Sequence, residues 1–134
     1  MVRPPMKVSL FITCLSDVLF PRVGEAMARL LARQGVEVGF PAAQTCCGQP
    51  AFNSGYWEEA RASAKTLLEA FDDSDFVISP SGSCTGMIHH YYPKLFENDP
   101  ALRRKAEALA EKTYEFTQFL VGVLGVIAVL SFWP

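Results

Sequence analysis

The sequence predicts an α/β fold, a three-layer sandwich around a short parallel sheet in strand order 2-1-3. Two observations lead there. Short apolar, β-branched runs alternate with longer segments whose apolar residues recur at helical spacing. Each apolar run also stops at a loop of small residues or prolines, which is how strands in such folds hand over to crossover helices.

The first run, residues 7–13, reads Lys-Val-Ser-Leu-Phe-Ile-Thr and suits a strand buried on both faces. Cys14 follows it directly. A loop containing Asp17 and Pro21 is expected next, with Asp17 as a helix cap, before a helix over residues 23–33. There Val23, Met27, Leu30 and Leu31 share a face, and Gly35 terminates it. Residues 36–40 alternate as a second strand and stop at Pro41.

The turn-rich loop Gln44-Thr-Cys-Cys-Gly-Gln-Pro50 leads to a helix over residues 56–71, which Asn53 or Ser54 is expected to cap. Residues 75–79 form the third strand, ended by Pro80 and the loop Ser81-Gly82-Ser83. Cys84 opens a helix that runs toward Pro93, another covers residues 101–112, and a core helix is expected over 117–124. Residues 1–125 therefore read as one domain, and 126–134 as an uncharged apolar tail. That tail is short for a membrane span, so a membrane partner is not expected.

A chain of 134 residues, half of them hydrophobic, can bury a core without staples. The formal net charge of -2 offers no basic field for nucleic acid. No signal peptide precedes the first strand, so a cytoplasmic setting is expected, where cysteines serve as ligands or nucleophiles more than as disulfides.

All four cysteines, Cys14, Cys46, Cys47 and Cys84, fall just past the carboxyl end of a predicted strand. Those ends converge in space, so four thiols distant in sequence are brought to one edge of the sheet. Four thiolates are a common ligand set for an iron–sulfur cluster and for zinc. No CxxC knuckle is present, so the fold and not a local loop must assemble the site. Cys84 lies at a helix start, where free N–H groups favour a thiolate, and Gly48 and Gly82 would let backbone approach a bound group. Buried small hydrophobes and a redox-active Cys46–Cys47 pair are the competing readings. His89 and His90 do not share the helix face of Cys84 and are assigned to a solvated or partner-facing surface. Gln49 and Asn53 are further candidates for contact with a cluster or partner.

The segments Phe11-Ile-Thr-Cys-Leu15, Gln44-Thr-Cys-Cys-Gly-Gln-Pro50, Asn53-Ser-Gly-Tyr56 and Pro80-Ser-Gly-Ser-Cys84 resemble the cysteine-rich CCG-domain family. That family includes the cysteine-rich component of heterodisulfide reductase, the iron–sulfur subunit of glycolate oxidase and the lactate-utilisation A group, the last being the most similar. The resemblance implies a Rossmann-like half of a CCG protein, with the tail leading toward a second half. It also implies an iron–sulfur, electron-transferring oxidoreductase subunit of a multi-subunit system that oxidises L-lactate to pyruvate. Such a subunit would not be catalytic alone, and its partners would be sister subunits or a second copy.

The family pattern has a fifth cysteine where this chain has Met87, so the residues present offer four ligands. A [4Fe–4S] cluster, zinc or an empty site are the alternatives. With zinc or no metal, the chain would be a structural or assembly module, its contacts made by the tail and the surface from His89 to Tyr92.

Overall fold

The computed structural model describes residues 6–126; the tail expected beyond Val126 lies outside them. Strand β1 is Lys7–Leu10. Val8 and Leu10 face one side of it and Ser9 and Phe11 the other, all of them buried. The strands β2 (Glu37–Gly39) and β3 (Phe76–Ser79) flank β1, and β4 (Thr113–Glu115) lies beyond β3. The sheet is parallel throughout, in the order β2-β1-β3-β4. The expected order 2-1-3 is thus present, extended by a fourth strand that sequence reasoning missed. With three residues, Thr-Tyr-Glu, β4 has no apolar run of its own to announce it.

Two apolar clusters, one on each face, make the three layers. On one face Met27 and Leu31 of α2 (Pro21–Arg33) and Phe119 and Leu120 of α8 (Phe116–Gly122) cover Val8, Leu10 and Ile78. On the other, α4 (Trp57–Ala70) and α7 (Pro100–Lys112) cover Phe11 and Val77. Ala60 and Ala64 on α4 are fully buried, and their small side chains let that helix lie close to the loops feeding the sheet edge.

Several helix boundaries differ from expectation for identifiable reasons. Residues 14–19 are not a loop but helix α1 (Cys14–Leu19), and its cap is Thr13, whose Oγ1 accepts from the Ser16 N–H. Asp17 is instead an acidic residue in the first turn. The polar stretch after Gly48 folds as α3 (Gln49–Asn53), so Asn53 ends a helix and Ser54 is its C-cap. The next helix starts from Tyr56 without a side-chain cap. Helix α8 begins one residue early, because Glu115 and Gln118 form a capping box, and ends at Gly122, short of the expected 124.

The segment after β3 is α5 (Gly82–Gly86), then a π-helical turn (Met87–Tyr91), then α6 (Tyr92–Leu95). Pro93 therefore does not end the helix. It occupies the first turn of α6, where its missing N–H leaves no bond unmade.

At the opposite edge of the sheet, Lys112 Nζ donates to the carbonyls of Phe71 (2.7 Å), Ser74 (3.0 Å) and Asp72 (3.1 Å). It thereby collects the orphan carbonyls where α4 turns into β3. Hydrogen bonds from a charged donor are each worth about 1.5–3 kcal/mol. Lys112→Met, which keeps the aliphatic stem, is expected to lower the urea-unfolding free energy by about 1.5–3 kcal/mol. A loss under about 0.5 kcal/mol, the range of an ordinary surface change, would contradict this role.

Candidate metal centre

Strands β1, β2 and β3 are each followed by a loop that leads into a short helix. The loops after β1, β2 and β3 deliver Cys14, the Cys46–Cys47 pair and Cys84 to the same place. All four line one cavity of about 350 Å³, with Thr13, Ser16, Ser81 and Ser83 among its walls. The expected convergence at the carboxyl edge is what the fold shows.

Within the cavity the thiols stand in two pairs. Cys47 Sγ is 3.4 Å from Cys84 Sγ, and Cys14 Sγ is 4.0 Å from Cys46 Sγ. The adjacent residues Cys46 and Cys47 thus turn toward different partners, and all four cysteines are free thiols. Among the described residues, no three His, Cys, Asp or Glu side chains form a ready metal-binding group.

The vicinal pair is held by three devices. Gly48 has φ +86°, and a Cβ there would lie 3.2 Å from the Ala60 carbonyl oxygen and 3.3 Å from its Cα, so only glycine permits both the turn and the contact with α4. Its N–H donates to Cys46 Sγ at 3.4 Å. Tyr92, fully buried, donates its hydroxyl to the Cys47 carbonyl at 2.7 Å. On the near side, Gln44 ties the loop to β1: its Oε1 accepts from the Ile12 N–H, and its Nε2 donates to the Leu10 and Pro41 carbonyls, each at 2.9 Å.

Sequence reasoning passed over Tyr92 and Gln44 as site residues. The spacing of Cys84, Ile88 and Tyr92, four residues apart, was the signal for Tyr92, since it places all three on one helix face. Contrary to expectation, the tyrosine is therefore not part of an exposed surface, although His89, His90 and Tyr91 are.

The Cys84 thiol is pulled down to about 6. The principal cause is the hydrogen bond from the Cys47 thiol, followed by the hydroxyls of Ser81 and Ser83, while burial opposes the shift. Cys47 moves the opposite way, raised by the proton it shares with Cys84 and by burial. One proton is thus held between them, on the more buried sulfur. The Cys14 thiol is raised by desolvation and by Cys46. Ser81 also caps α5, accepting from the Cys84 N–H at 3.3 Å.

Gly82 does not belong to this wall. It borders a separate cavity with Thr85, His89 and Glu115, and a Cβ at Gly82 would meet nothing within 4 Å, so no close approach within the chain requires glycine there. Neither histidine lines the cysteine cavity: His89 Nε2 donates to the Thr113 carbonyl at 2.7 Å, binding the π turn to β4, and His90 is exposed. Gln49 does line it, whereas Asn53 does not.

The sequence pattern of the CCG family, a cysteine-rich domain, matches residues 8–89. This chain belongs to that family. Lactate utilization protein A of Oceanobacillus iheyensis is 58% identical to this CCG domain over 121 residues, which are 90% of this chain and 49% of that protein. Lactate utilization protein A 2 of Bacillus cereus is 56% identical over 120 residues, 90% of this chain and 50% of its own length. The chain spans about half the length of the relatives it matches. No solved structure matches it.

As a donor set, the cavity fits a thiolate-bound centre. Four cysteines are the usual complement of a [4Fe–4S] cluster, and N–H and O–H donors to the sulfurs are what steady such thiolates. Alkylation of the metal-free CCG domain by iodoacetamide should be fastest at Cys84, with a rate that rises through pH about 6 and then levels off. In Cys47→Ala the inflection should move up toward the ordinary thiol value of about 8.5. Peptide-resolved mass spectrometry reads both; an unchanged inflection would show that Cys47 does not tune its neighbour.

Proposed function

We propose that this CCG domain is the cluster-holding half of an electron-transfer subunit in a multi-subunit system that oxidises L-lactate to pyruvate. The observation that carries the reading is the convergence of Cys14, Cys46, Cys47 and Cys84 on one cavity at the carboxyl edge of the sheet. The names of the relatives supply the substrate. When bound, an iron–sulfur cluster supplies one-electron transfer that amino-acid side chains do not.

What the chain itself contributes is ligation and orientation. Cys84 enters as a thiolate near neutral pH, and Cys47 gives up its shared proton on ligation. The Gly48 N–H, Ser81 and Ser83 then remain as donors to sulfur, and sulfur-directed hydrogen bonds are among the determinants of a cluster's potential. Removal of hydrogen from a 2-hydroxy acid needs a base for the hydroxyl and a cation for the carboxylate. Among the described residues the cavity wall presents no His, Lys, Arg, Asp or Glu, so that step is assigned to a sister subunit and this one relays electrons.

A second reading has one observation in its favour. Two thiolates on a tetrahedral zinc, each with a Zn–S bond of about 2.3 Å, stand about 3.8 Å apart. The pair separations of 3.4 and 4.0 Å bracket that value. In this reading the chain is a structural or assembly module.

Metal and acid-labile sulfide analysis of anaerobically purified protein separates the two. The iron–sulfur reading expects about four irons and four sulfides per chain, lost when Cys47 or Cys84 is replaced by Ser. One tightly held zinc with neither iron nor sulfide would sink it.

A further inference from the structure

Of the two thiol pairs in the cavity, Cys47 with Cys84 is the closer, at 3.4 Å between the sulfurs. The sulfurs of a disulfide lie about 2.05 Å apart, so bonding this pair asks for an approach of about 1.4 Å shared between two side chains. The backbone holds both residues for it. Cys84 stands on α5, and Tyr92, on the same run of helix after β3, donates to the Cys47 carbonyl at 2.7 Å. The peptide that carries Cys47 is thus bonded to the segment that carries Cys84, and Gly48, in contact with Ala60, fixes it from its carboxyl side.

The other pairings are less well placed. Cys14 and Cys46 are 4.0 Å apart, and Cys14 is carried by α1, which buries none of its residues. Cys46 and Cys47 turn toward different partners, and the Gly48 N–H engages Cys46 Sγ at 3.4 Å. Within the favoured pair, access differs. Cys47 is 3% exposed, whereas Cys84 is only partly buried on the cavity wall. An accessible thiol backed by a buried one is the arrangement in which the first is attacked by, or attacks, a partner from solution and the second resolves the product.

We propose that Cys47 and Cys84 form a redox gate on the cavity: in the metal-free chain a low-molecular-weight disulfide closes them into an intramolecular bond, and a thiol reductant reopens it. The bond rests on the geometry of the pair, and only its consequence for loading rests on the four cysteines being ligands. Cys84 Sγ attacks one sulfur of the oxidant, breaking its S–S bond, so that one thiol leaves and a mixed disulfide forms. Cys47 Sγ then attacks Cys84 Sγ and expels the second thiol. Two electrons pass from the protein sulfurs to the oxidant, and the two protein protons end on the released thiols. Cys14 and Cys46 remain, too few for a four-thiolate centre. The closed bond also keeps Cys47 and Cys84 from irreversible oxidation to sulfinic and sulfonic acids.

The test incubates the reduced, metal-free chain with glutathione disulfide and reads intact mass and non-reduced peptide maps. A loss of about 2 Da per chain is expected, located by fragmentation between Cys47 and Cys84, reversed by dithiothreitol and retained in Cys46→Ala. After removal of glutathione, zinc uptake by the closed chain should be lower than that of the reduced chain by about tenfold or more. A bond from Cys14 to Cys46 or from Cys46 to Cys47 in its place would overturn the proposal. So would stable glutathione adducts with no internal bond, or equal zinc uptake by the closed and reduced chains. Iron and sulfide content of the anaerobically purified protein decides the cluster assignment separately, so a failure of one reading is not mistaken for a failure of the other.

Discussion

The hydrogen bond from the Tyr92 hydroxyl to the Cys47 carbonyl joins the two halves of the site. It runs from the helical segment after β3 to the loop after β2, and both groups are buried, so leaving either unpaired would cost the full desolvation of a polar group. With Gly48 pressed onto Ala60 of α4, it fixes where the peptide of the vicinal cysteines lies. Everything described for the thiols follows from that placement. From that loop Cys47 reaches Cys84, and Cys46 faces Cys14.

The π turn is part of the same constraint. It lies between Cys84 and Tyr92, and Tyr92 is buried beneath the cysteine loop while His89 and His90 are exposed. Met87 is buried in the same core cluster as Ile88 and Leu109. The cavity is lined by four thiols, which stand in two pairs, Cys47 with Cys84 and Cys14 with Cys46. Its polar wall is made of hydroxyls and amides that stabilise negative sulfur without adding a formal charge of their own.

Much of this was legible in the residues. Continuous apolar runs at 7–13 and 75–79 and the alternating run at 36–40 located three strands, and parallel topology then placed the cysteines on one edge. What stayed illegible was local. Leu15, Val18 and Leu19 read as loop because no core was available to them, and the structure leaves them uncovered. β4 was too short to show periodicity, and a π turn has no composition of its own. Thr13 outcompeted Asp17 as a cap because it stands one residue before the helix begins. The pairing of thiols depended on a left-handed glycine and a buried phenol, neither of which has a spacing rule that names its partner.

The central claim is that four sulfurs from three separate segments belong to one centre. Anomalous diffraction at the iron edge, from crystals of the anaerobically purified chain, tests it most directly. The account predicts a single compact iron peak in the cavity, with Cys14, Cys46, Cys47 and Cys84 Sγ all bonded to it at about 2.3 Å, the distance usual for metal–thiolate bonds. Iron bound by only one of the two thiol pairs, or at a site away from the cavity, would contradict it.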